Sequence, residues 1–120
     1  MTGSASVAIL RLSTHVLDTT IGKPAAGIPA TLEQIDPDGS AWAMGSGVTD
    51  ADGRIQQLNT DALVPGEYRL SLATRQYFQD AHSTVFYPVI SVQFVLSGDR
   101  QHYHIAVLTS TYSYATYLGS

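Results

Sequence analysis

The chain has 120 residues, 44% of them apolar, which suffices for one domain with its own core and no disulfide or metal staples. It contains no cysteine, excluding a disulfide scaffold, a thiolate metal site and a cysteine nucleophile while leaving the redox compartment open. Six Lys and Arg scattered singly against ten Asp and Glu give a net charge of −4, so no basic stripe exists to neutralise phosphates and nucleic acid is not an expected partner.

Residues 1–7 read as a flexible leader and residues 8–120 as a single domain. From Ala8 onward, Leu10, Leu12, Thr14 and Val16 alternate with Arg11, Ser13, His15 and Leu17, the period-two pattern of a half-buried strand. His15 therefore points away from the Leu10, Leu12 and Val16 face. Asp18 to Gly27 is a turn-rich connection, after which Ile28, Ala30 and Leu32 open a second strand. Asp36-Pro37-Asp38-Gly39 is a hairpin turn, and Trp42, Met44 and Val48 mark the returning strand. A second turn, Asp50-Ala51-Asp52-Gly53, delivers Arg54 at the start of a short strand.

Pro65-Gly66 reverses the chain into a strand through Tyr68, Leu70 and Leu72. Thr74 is placed to cap a brief helix over Arg75 to Ala81. Val89 to Leu96 is the next strand, Ser97-Gly98-Asp99 a turn, and His102 to Thr109 and Tyr112 to Tyr117 the last two strands. Seven or eight short strands punctuated by Gly and Pro turns predict an all-β fold, a two-sheet antiparallel β-sandwich with one short helix. No apolar run is long enough to span a bilayer, so no membrane partner is expected. The start lacks the charged, apolar pattern of a secretory signal and Leu-Gly-Ser is not a peroxisomal address, so the sequence reads as cytoplasmic unless a targeting segment has been removed.

The segment from His102 to Ser120, HYHIAVLTSTYSYATYLGS, carries the chemistry. His102 and His104 are two apart, so an extended strand sends both rings to one side, while Tyr103, Ile105 and Val107 take the core side. Polar groups pointing off the core also occur at Ser13 to Asp18 and at Asp52-Gly53-Arg54. Together these segments resemble the 5-hydroxyisourate hydrolases, the enzymatic branch of the transthyretin family. The resemblance runs from Leu12 to Ser120 and includes Gly22-Lys23-Pro24-Ala25 and Phe86-Tyr87-Pro88.

The resemblance implies a transthyretin-like sandwich, assembled as a homotetramer around a channel whose mouths hold the sites. It matches His15 to the histidine of the family's first strand, Arg54 to the arginine after its Asp-Gly turn, and His104 to the second histidine of its His-Tyr-His motif. Tyr117, Gly119 and Ser120 match three of the four residues of its Tyr-Arg-Gly-Ser terminus. The vertebrate hormone carrier of the same fold has lysine, glutamate and threonine where this chain has His15, Arg54 and His104. Two departures stand out: Leu118 replaces the terminal arginine, and Ala106 replaces the usual proline after His-Tyr-His. Strand parity places Leu118 opposite Tyr117 and Gly119.

The implied reaction opens the cyclic amide of 5-hydroxyisourate to 2-oxo-4-hydroxy-4-carboxy-5-ureidoimidazoline, on the route from urate towards allantoin, with no cofactor. Water must lose a proton, and a neutral imidazole, with an ordinary pKa of roughly 6.5, is suited to take it. His104 is expected as principal base, His15 as a second proton-handling ring, Arg54 as an electrostatic clamp, and Tyr117 and Ser120 as pocket groups that bind substrate. His102, nearer the turn, is expected in a supporting or exposed role, His82 on the surface, and Trp42, Phe86 and Tyr87 as packing groups. A zinc ion held by His15, His102 and His104 is the lesser alternative, because ligands alternating on one strand splay apart. Two rival readings remain: a binding module that has lost turnover and keeps a small planar ligand, and an adhesive sandwich in which the three polar segments never converge.

Overall fold

The computed structural model describes residues 7–119. The elements in chain order are β1 (Arg11–Asp18), β2 (Lys23–Pro24), β3 (Pro29–Ile35), β4 (Ala41–Val48), β5 (Arg54–Ile55), β6 (Gly66–Leu72), α1 (Arg75–His82), β7 (Ile90–Leu96), β8 (His102–Thr109) and β9 (Tyr114–Gly119). One sheet runs β2-β1-β8-β9 with β5 also paired to β1, and the other runs β4-β3-β6-β7. This is the expected two-sheet sandwich with one helix. Within it, β1 and β8 pair in parallel, with Ser13 opposite His104, while every other named pairing is antiparallel. Among the described residues no helix is long and apolar enough to cross a membrane.

Alternation decides which side chains meet between the sheets. Leu12 and Val16 of β1, Tyr103, Ile105 and Val107 of β8, Ala30 and Leu32 of β3, and Tyr68, Leu70 and Leu72 of β6 form the buried cluster. Leu10 falls outside it, half exposed just before β1, because the chain there bonds to the Gln101 carbonyl before the ladder begins. Trp42 is exposed rather than packed and donates to Asp36 across its own hairpin, while Phe86, also exposed, packs its ring edge-on against Tyr87 and tilted against Tyr112, with centroids 4.8 and 5.5 Å away. Tyr87 packs against the core as expected. Of the expected leader, residues 1–6 lie outside the described residues; Val7 donates its N–H to Gly98.

The helix is tied down differently from its sequence signals. Thr74 stands at the N-cap and its carbonyl accepts the Phe78 N–H, but its side chain makes no cap bond and its hydroxyl donates to the Tyr87 carbonyl instead. His82 is not a surface residue: its Nε2 lies 2.6 Å from Asp18 Oδ2, which also accepts from Tyr77 at 2.6 Å. Asp18 is fully buried at the end of β1 and accepts the Thr20 N–H on its other oxygen. Burial works against its charge, but the bonds from Tyr77, His82 and Thr20 outweigh it and hold the carboxyl below its ordinary range.

Asp18→Asn is therefore expected to cost about 1.5–3 kcal/mol at neutral pH, the scale of hydrogen bonds to a charged group. Because the folded-state pKa is depressed, this contribution is present above the unfolded carboxylate value of about 3.9 and is lost as pH falls from there through the folded value. Urea midpoints across that range check it. A variant as stable as the parent at neutral pH would show that the cluster does not hold the helix.

Candidate active site

Residues opposite one another across a ladder share a face, so the register of three strands assembles one polar surface. Arg11, Ser13 and His15 of β1 stand opposite His102, His104 and Ala106 of β8, and Ala106 and His104 stand opposite Tyr117 and Gly119 of β9. On the other side of β1, Arg54 of β5 pairs with His15. All of these except Ala106, together with Gln56, line an open cleft of about 400 Å³ on the face of the sheet away from the core. The three polar segments converge, which removes the adhesive reading.

Two glycines make the arrangement possible. Gly53 sits at φ +73° in the Asp50 turn, and a Cβ there would stand 2.4 Å from the Val16 carbonyl oxygen. That oxygen belongs to the β1 backbone, which also takes the Gly53 carbonyl on the Val16 N–H at 2.7 Å. Asp50 Oδ1 accepts the Arg54 N–H at 2.9 Å, so the turn clamps Arg54 beside His15. Gly119 lies opposite His104, and a Cβ there would be 2.6 Å from the imidazole Cδ2. Its bare backbone is the seat for the His104 ring.

The imidazoles are close and linked. His15 and His104 have ring centroids 6.5 Å apart, and His102 and His104 6.4 Å apart. The buried Ser13 hydroxyl bridges the second pair, with Oγ 2.8 Å from His102 Nε2 and 2.7 Å from His104 Nδ1. Arg11 Nη2 lies 3.1 Å from His102 Nδ1. Burial first, and then the positive charge of Arg54, His15, His102 and Arg11, holds the His104 pKa below the ordinary histidine value. His102 is lowered likewise by burial and by Arg11. Both shifts favour the neutral ring near neutral pH.

The cleft brings together His15, Arg54, His104 and Tyr117, and the His102 ring also lies in it. Ser120 lies outside the described residues. Among the described residues no group of three or more His, Asp or Glu side chains could hold a metal ion, so the zinc alternative lacks a ligand set. Sequence reading gives Ser13 only as the start of a polar segment and does not mark Arg11 or Gln56 for the site, although Arg11 and Ser13 share the parity of His15 on β1, and that parity is the available signal.

The HIUase/Transthyretin family model matches residues 12–119. The chain belongs to that family. A 5-hydroxyisourate hydrolase of Salmonella typhimurium is 44% identical over 111 residues, covering 91% of this chain and 80% of the relative. Among solved structures, the Klebsiella pneumoniae 5-hydroxyisourate hydrolase aligns with a TM-score of 0.78 at 31% identity, covering 92% of this chain and 99% of that one. Sea bream transthyretin in complex with thyroxine aligns at 0.82 with 33% identity, covering 91% and 94%. Chains of this fold thus include a 5-hydroxyisourate hydrolase and a transthyretin in complex with thyroxine. Leu118, the departure at the terminus, stands opposite Ile105 and so faces away from the cleft, while Ala106 is buried, with His15 opposite it on β1 and Tyr117 opposite it on β9.

Proposed function

We propose that the protein hydrolyses 5-hydroxyisourate, opening its cyclic amide to 2-oxo-4-hydroxy-4-carboxy-5-ureidoimidazoline in urate degradation. The observation that carries this reading is the meeting of His15, His104 and Arg54 in one cleft of a chain so similar to named hydrolases. The hydroxyl oxygen of water bonds to the amide carbon, its proton passes to an imidazole, and the C–N bond breaks as the nitrogen is reprotonated. Arg54 supplies paired donors to the carbonyl oxygen as it gains charge. Tyr117 forms part of the cleft wall, and Ser120 would complete the substrate contacts from the carboxyl end.

The reading includes a cytoplasmic homotetramer made from residues 8–120 as one domain, with the cleft opening on a channel between subunits. Support for assembly comes from β9, an edge strand with exposed Tyr114, Tyr117 and Leu118, whose free backbone groups invite a twofold mate. The ultraviolet decay of fresh 5-hydroxyisourate tests the function. Decay accelerated by catalytic amounts of protein supports hydrolysis; decay at the spontaneous rate, with a planar ligand bound, would instead favour the carrier reading.

A further inference from the structure

The hydrogen-bond chain across the cleft has a direction. Arg11 can only donate, so His102 Nδ1 must accept from it. A neutral His102 then carries its proton on Nε2 and donates to Ser13 Oγ. The Ser13 hydroxyl, having accepted on that side, donates to His104 Nδ1. Neutral His104 is thereby left with its proton on Nε2, the nitrogen that no member of the chain uses. Reversing the chain would set a His102 Nδ1–H against an Arg11 N–H, two donors with no acceptor between them.

We propose that Arg11 and Ser13 are positioning residues that lock His104 as a neutral Nε2–H donor, leaving His15 as the base of the reaction. The proposal rests on the hydrolase reading and deepens it, and it reverses the expectation that His104 is the principal base. A neutral imidazole whose Nδ1 is occupied has no lone pair to offer water, but its Nε2–H can polarise a carbonyl. The charged and titratable groups facing His104 are Arg11 and His15 from β1, Arg54 from β5, His102 from its own strand and Tyr117 from β9. Three of these are histidine or tyrosine and two are fixed cations, so among the described residues no carboxylate in the cleft wall favours a charged His104 ring. In the reaction, the water oxygen bonds to the amide carbon and its proton goes to His15. His104 and Arg54 hold the oxyanion, and His15 returns the proton to the leaving nitrogen as the C–N bond breaks.

The test reads the tautomer directly. In ¹⁵N-labelled protein at neutral pH, long-range ¹H–¹⁵N spectra of the imidazoles are expected to show His104 with a protonated Nε2 and a bare Nδ1. Arg11→Met removes the only group that fixes the chain's direction and should mix the two forms. It should also lower kcat about tenfold, the scale of one hydrogen bond's bias, with KM unchanged. Arg11→Lys, which also only donates, should restore both signatures and doubles as the control for folding. A protonated His104 Nδ1 in the parent, or an unmixed tautomer in Arg11→Met, would overturn the lock. Should the tautomer behave as expected while the parent fails to turn over 5-hydroxyisourate, the hydrolase reading would fall and the lock would stand.

Discussion

Replacing His15 with asparagine is expected to lower kcat/KM for 5-hydroxyisourate by about 10²- to 10⁴-fold, the range attached to a positioned general base. Asparagine is near in size and keeps a donor and an acceptor, but it cannot take a proton from water. KM should change little, because the planar substrate is held chiefly by the guanidinium and the cleft walls. Stability should change little too. His15 is half-buried and points off the core, while Leu12 and Val16 on the other face of the same strand carry its packing. Steady-state kinetics beside thermal melts of the same preparation separate the two effects. If the variant turned over substrate at the parent rate with an intact melt, His15 would not be the base, whatever tautomer the Ser13 chain imposes on His104.

What was legible from the sequence follows from which interactions are local. Side-chain parity along a strand depends on the backbone alone, so His102 and His104 on one face and Tyr103, Ile105 and Val107 on the other could be read without knowing any neighbour. The Asp-Gly turn that launches Arg54 is local in the same sense. Pairing is not local: nothing between residues 11 and 18 announces that they will lie parallel to residues 102 to 109, and that register alone sets Ser13 between two imidazoles. The same limit explains His82, which looks like the polar end of a short helix until β1 brings the Asp18 carboxylate beneath it. Two-residue β2 is too short to show a period, and Trp42 defies its expected packing because large aromatic surface alone does not say which face of a strand is covered. The cleft groups meet through three strand pairings, β1 with β5, β1 with β8 and β8 with β9, none of which periodicity can specify.

Arg54 is the second residue on which the reaction should depend heavily. Arg54→Met keeps much of the aliphatic stem and removes the charge and all five donors, and it is expected to cost about 10²- to 10³-fold in kcat, as loss of an oxyanion donor does. Arg54→Lys should recover part of this, since an ammonium supplies charge but not the planar pair of N–H groups that fits a carbonyl or carboxylate. A second consequence separates electrostatics from simple misplacement. After burial, Arg54 is the largest influence keeping the His104 pKa low, so its removal should move that pKa up towards the ordinary histidine value. The pH at which activity falls away on the acid side should rise with it, because a protonated His104 Nδ1 would break the bond from Ser13. Lysine should leave that limb nearly in place. NMR titration of the His104 ring alongside the pH–rate profile tests both. Should Arg54→Met retain parent kcat, or lose it with the His104 titration unmoved, the guanidinium would not be acting on the reacting centre through its charge.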